Sequence, residues 1–89
     1  MNLQTEMDKL YNEVQDKLAN GISILIRSIN DKEKIVKFLN NMKSQPEIDV
    51  LKRINKIAIE NEDYETCEAL KEYSKERGII KLNEGIIFL

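Results

Sequence analysis

Histidine and tryptophan are missing from this chain, and its 89 residues include one cysteine, one proline and three glycines. Without histidine it lacks the usual general base near neutral pH, the commonest metal ligand and the usual pH sensor. The lone Cys67 can close no internal disulfide and can build no thiolate zinc site. Gly21, Gly78 and Gly85 stand apart from one another, which rules out a glycine-rich phosphate loop. No apolar run nears the roughly 18–20 residues that cross a bilayer. The opening Met1-Asn2-Leu3-Gln4-Thr5-Glu6 has neither the basic start nor the apolar middle of a secretion signal. The expectation is a cytoplasmic protein with no membrane partner. A net charge of −2 and a pI near 5.2 argue against nucleic acid as a partner, because phosphate-backbone binding needs a basic face. They leave room for a small local anion site.

Carboxylates are abundant, yet none stands alone in an apolar run where burial would raise its pKa into a catalytic range. Glu60, Glu62 and Asp63 are close enough in sequence to gather around a cation, but their spacing is not that of an EF-hand loop. Cys67 falls on the apolar face of a predicted helix and reads as a small core residue, with no histidine to activate it. These residues predict no enzyme, no metal and no cofactor.

What is present has helical spacing. The chain is 42% apolar and 34% charged, an ordinary soluble balance. At this length a single domain buries only about 60–65% of the surface its unfolded form exposes, so a second copy or another protein would add useful burial. Leu3, Met7, Leu10, Val14 and Leu18 advance by four, three, four and four residues and draw a narrow stripe along one helix. It has the look of a coiled-coil seam, although about two heptads are too few to define one. Leu18, Ile22, Leu25 and Ile29 carry the pattern on, so the prediction is one long helix over 3–29. Gly21 inside it costs about 1 kcal/mol relative to alanine. Such a glycine marks close approach of another backbone or, less often, a ligand contact.

Asn30-Asp31 supplies a cap for a second helix over 31–44, with Glu33 in its first turn near the positive dipole end. Pro46 ends that helix and opens a helical hairpin over 46–77, capped by Ser44 or Gln45. On one arm of the hairpin Leu51, Ile54, Ile57 and Ala58 line up; on the other, Tyr64, Cys67, Leu70 and Tyr73. A turn as short as Glu62-Asp63-Tyr64-Glu65 must fold the two arms back antiparallel and press the stripes together. Asp63 caps the second arm, and Gly78 stands just past its end, where a left-handed residue belongs. The tail over 79–89 reads as a β-hairpin about Asn83-Glu84-Gly85.

The block 51–72 resembles the UVR motif, a short helical hairpin of excision-repair nuclease subunits and of regulators of Clp-type proteases. The matching residues are Leu51, Ile54, Ala58, Glu62-Asp63-Tyr64-Glu65, Leu70, Lys71 and Glu72. They cover about a quarter of the chain. Cys67 and Glu68 stand where the family has two small residues, and Ser74 where it has an apolar one. The resemblance implies a hairpin that pairs with another hairpin between proteins, with Glu62, Asp63, Tyr64, Glu65 and Lys71 as partner-binding residues. A fainter pattern, Leu18-x-x-Gly21-x-x-x-Leu25-x-Arg27-x-Ile29, resembles a helix of phage proteins that sequester cyclic-oligonucleotide signals between subunits. There Ile22 replaces the expected aromatic. On that alternative reading Tyr11, Gly21 and Arg27 bind a cyclic nucleotide.

The fold expected is mainly α, a small bundle of about four helices with a short C-terminal β-hairpin. The function expected is non-enzymatic protein binding, as an adaptor or inhibitor, in a protein that forms homo-oligomers. Richness in Ile, Asn and Lys fits an AT-rich bacterial or phage genome. Leu10, Val14, Leu70 and Tyr73 are expected to be buried, in the fold or in a dimer interface.

Overall fold

A computed structural model describes residues 3–78, which form four helices in chain order. These are α1 (Leu3–Ile29), α2 (Lys32–Asn40), α3 (Ile48–Glu60) and α4 (Tyr64–Glu76). No strand occurs among the described residues, and the expected hairpin over 79–89 lies outside them. None of the described helices is long and apolar enough to cross a membrane. α1 packs mainly on α3, α3 on α4, and α4 on α2. At 1.5 Å per residue α1 is about 40 Å long, and it sets the long axis of a body measuring 46 × 27 × 26 Å.

Each boundary has a local cause. Asn30 ends α1 in the left-handed region at φ 46°, a geometry that asparagine enters more readily than most residues. Asp31 then caps α2, its carboxylate accepting the Lys34 N–H at 3.0 Å. α2 stops at Asn40, a turn short of the boundary expected at 44, and the carbonyls around its end are taken by the Asn41 and Met42 N–H groups and by Gln45. The Gln45 amide donates to the carbonyls of Asn40 and Met42, at 3.3 and 2.7 Å. Its oxygen accepts the Tyr73 hydroxyl. Gln45 is thus a clamp between α2 and α4 and does not cap α3. That helix starts later than expected, at Ile48, after Glu47, which makes no side-chain cap bond. The α3–α4 turn places Glu62 at φ 55°. Asp63 closes the turn, accepting the Thr66 N–H at 3.2 Å and the Thr66 hydroxyl at 2.5 Å. Gly78, at φ 66°, follows α4 as its left-handed stop.

The core is the predicted seam and more. Leu51, Ile54 and Ala58 from α3 and Cys67, Leu70 and Tyr73 from α4 are buried. Ile35 and Leu39 of α2 join them, as do Ala19, Ile22 and Ile26 of α1. Each large aliphatic side chain removed from water here contributes about 1.5–3 kcal/mol. Val50, off the main stripe of α3, is buried as well, so a second face of that helix is covered. Tyr64, at the start of α4, is exposed.

The larger correction concerns α1. Of its sequence stripe, Ile22 is buried and Ile29 packs against the core, while the rest faces outward. Leu10 and Val14 are each 61% exposed, and Leu3, Met7, Leu18 and Leu25 are exposed too. The buried face is Gln15, Ala19, Ile22, Ser23 and Ile26. Small residues at 19 and 23 let α1 lie close on the bundle, and two β-branched residues fill the groove between turns. Nor does Gly21 receive a backbone: a Cβ built there would meet nothing within 4 Å.

Candidate protein-binding face

Three groups of residues have the makings of a site: a polar clasp between α1 and α3, the acidic turn, and the outer face of α1. In the clasp, Arg53 donates to Asp16 at 2.5 Å, to Asn12 at 2.9 Å and to Asp49 at 3.2 Å. The same Asp49 oxygen accepts from the Tyr11 hydroxyl and the Gln15 amide, both at 3.2 Å. Burial pushes the Asp49 carboxyl up, but the bonds from Gln15, Arg53 and Tyr11 outweigh it and hold the pKa below the ordinary value. The bond to Asp16 raises the Arg53 pKa. Partial desolvation, then the bond to Asp49, raises that of Tyr11. These bonds run between the two helices, which describes a clasp holding α1 to α3. Sequence reasoning passed over it, although Asp49 and Arg53 four residues apart on one helix were a readable sign.

The acidic turn divides into structural and free residues. Asp63 is spent as a cap, and Glu65 accepts the backbone N–H of Lys32 at 3.0 Å, pinning the start of α2 to α4. Glu62, Tyr64 and Lys71 are exposed. Among the described residues no group of three or more acidic or cysteine side chains is placed to hold a metal. Cys67 is buried, and burial, followed by the nearby Asp63 and Glu68 charges, raises its thiol pKa. That leaves less thiolate than an ordinary cysteine carries.

The residues of the nucleotide alternative do not converge within one chain. At 100° and 1.5 Å per residue, Arg27 is about 160° around α1 from Tyr11 and about 24 Å along it. The Tyr11 hydroxyl is bonded to a carboxylate, which repels phosphate.

The outer face of α1 has a different character. All residues from 3 to 14 are exposed, so the first three turns form an arm that buries no side chain against the other described residues and meets them through the bonds of Tyr11 and Asn12. Along that arm and beyond it, Leu3, Met7, Leu10, Val14, Leu18 and Leu25 make one apolar stripe, with Tyr11 and Ile24 on its borders. Beside Leu18 a notch opens between α1 and the α2–α3 connection, lined by Ile22, Met42, Pro46 and Val50.

No protein-family model, curated protein or solved structure matches this chain. Its class is therefore set by its own coordinates: a mainly helical domain in which the inner face of α1 joins α2, α3 and α4 in one core, while the outer apolar face of α1 is unpaired among the described residues.

Proposed function

We propose that this chain is a non-enzymatic protein-binding module, an adaptor or an inhibitor, and that α1 presents its binding face. One observation carries the reading: eight large apolar side chains of α1, from Leu3 to Leu25, are about half exposed or more. Scattered apolar residues on a surface need no explanation, but a contiguous patch of this size marks an interaction site. The α3–α4 hairpin, with its resemblance to the UVR motif, is the support that holds α1 in place. Its exposed Glu62, Tyr64 and Lys71 offer a secondary contact at the far end of the body.

Capture from an extract of the native cell tests the choice of face. Wild-type chain, Leu10→Glu and Glu62→Ala/Tyr64→Ala are used as equal amounts of folded bait. The α1 reading predicts that the bound partner drops about tenfold with Leu10→Glu, the size expected for losing one central apolar contact, and little with the turn variant. The reverse ranking moves the face to the acidic turn, and equal recovery by all three baits removes the reading.

A further inference from the structure

The α1 stripe is partly symmetric about Val14, with leucine matching leucine at two of its three spacings. Leu10 and Leu18 stand four residues to either side, Met7 and Gly21 seven, and Leu3 and Leu25 eleven. An antiparallel pair on a two-fold axis at Val14 would set each of these positions against its mirror, because an isologous interface sets residue i against j and j against i, so leucine would meet leucine toward both ends of the stripe. We propose that two copies of this chain pair α1 against α1, antiparallel, across a two-fold axis at Val14. The pairing rests on α1 being the protein-binding face and names its occupant as a second copy.

Four further observations agree on that occupant. The arm over 3–14 has no buried residue, and a helix of about 12 residues is marginal in water by itself. Antiparallel pairing lays each arm along 15–25 of the partner, a stretch already held firm by its inner face on the bundle. Met7 then falls opposite the partner's Gly21, where a Cβ meets open space and a long flexible side chain has room. Charge agrees with orientation. Glu13 and Lys17 share one border of the stripe, and in an antiparallel pair each border meets its own copy, so Lys17 of each chain reaches Glu13 of the other. A parallel pair would set that charged border against the one carrying Tyr11 and Leu18. Eight side chains at about 100 Å² apiece offer on the order of 800 Å² per chain, the amount each partner gives to a standard stable interface.

Single cysteines in the full-length chain test both the partner and the direction. Buried Cys67 gives the wild type as an uncrosslinked control. A disulfide needs Cα atoms within about 7 Å. On the two-fold axis, Val14→Cys should oxidise to a covalent dimer at least about tenfold faster than Leu3→Cys, whose two copies lie about 33 Å apart. Leu3→Cys mixed with Leu25→Cys should crosslink where neither does so alone. Self-crosslinking of Leu3→Cys as fast as Val14→Cys would make the pair parallel and overturn the proposal. Failure of Val14→Cys to crosslink, with the wild type sedimenting as a monomer at 200 µM or about that, would overturn it as well. In the second case, a captured protein still lost with Leu10→Glu would leave α1 as a binding face with another occupant. No such loss would end both readings.

Discussion

The α3–α4 hairpin and the α1 arm carry apolar stripes of similar quality, and the chain treats them in opposite ways. Leu51, Ile54, Leu70 and Tyr73 are all within 1% of complete burial, whereas Leu10 and Val14 are each 61% exposed. Both stripes repeat at three and four residues, so periodicity does not separate them. The connections do. A turn of three residues returns α4 onto α3, which brings the partner stripe to hand at almost no cost in chain entropy. α1 has no such neighbour along its first three turns, where the described bundle meets it through the polar bonds of Tyr11 and Asn12 and its buried residues begin at Gln15. An amphipathic helix therefore states that a face will be covered, and chain topology decides whether its own chain covers it.

The largest effect that sharpens this contrast is Leu70→Ala. It leaves a cavity in the closed core and should cost about 2–5 kcal/mol, read by denaturant unfolding at any protein concentration. Leu10→Ala, the matching truncation on the arm, should cost nothing beyond about 0.5 kcal/mol in dilute solution, yet should abolish the rise of Tm with protein concentration that self-pairing produces. Equal losses for the two variants in dilute solution would break the comparison, since they would mean the arm is packed in its own chain.

Asn55 provides an intermediate effect of opposite sign. It is 1% exposed on the packed side of α3, and neither its amide nitrogen nor its oxygen has a hydrogen-bond partner among the described residues. Burying such a group unpaired costs about 1–3 kcal/mol. Asn55→Leu, close in shape, should therefore raise stability by about 1–2 kcal/mol, and a loss would show that the amide is in fact serving the fold. Ser74 is buried with an unpartnered hydroxyl too. Asp63→Ala removes the α4 cap and should cost about 1 kcal/mol, measured the same way.

The smallest effect belongs to the clasp that joins the two regions. Asp49 has a folded pKa below its ordinary 3.8, so its contribution is complete above about pH 4 and is lost as pH falls through the lower folded value. Its side chain is 39% exposed, and solvent screening keeps a pair of this kind within about 1 kcal/mol. Asp49→Asn should flatten acid unfolding below pH 4 slightly and change nothing at pH 7 beyond that amount. A large loss at neutral pH would make the clasp, not the apolar face of Ala19, Ile22 and Ile26, the chief attachment of α1.

Much of the fold was legible in the residues. The four helices, the cap at Asp31, the cap at Asp63 and the glycine stop at Gly78 all follow from local chemistry that acts within a few positions. The seam of Leu51, Ile54, Leu70 and Tyr73 followed from a turn too short to permit any other path. Three things did not follow. Gln45 works across the fold, from the end of α2 to the Tyr73 hydroxyl, and a single sequence gives no sign of a partner 28 positions away. Tyr64 starts α4 on the apolar register but is exposed. For α1, apolar residues fall on two faces of its second half, and the choice of Ala19, Ile22 and Ile26 over Leu18 and Leu25 is made by the shape of the bundle. The site was less legible than the fold for the same reason: the stripe was visible, and which neighbour covers it was not.

Hydrogen exchange on the full-length chain, resolved by segment over a dilution series from high to low micromolar concentration, tests the central claim most directly. Self-pairing predicts that amides over 4–14 are protected in concentrated solution and lose that protection on dilution, while the core amides of 51–58 and 66–74 stay protected at every concentration. Protection over 4–14 that is independent of concentration, or absent at every concentration, would contradict it.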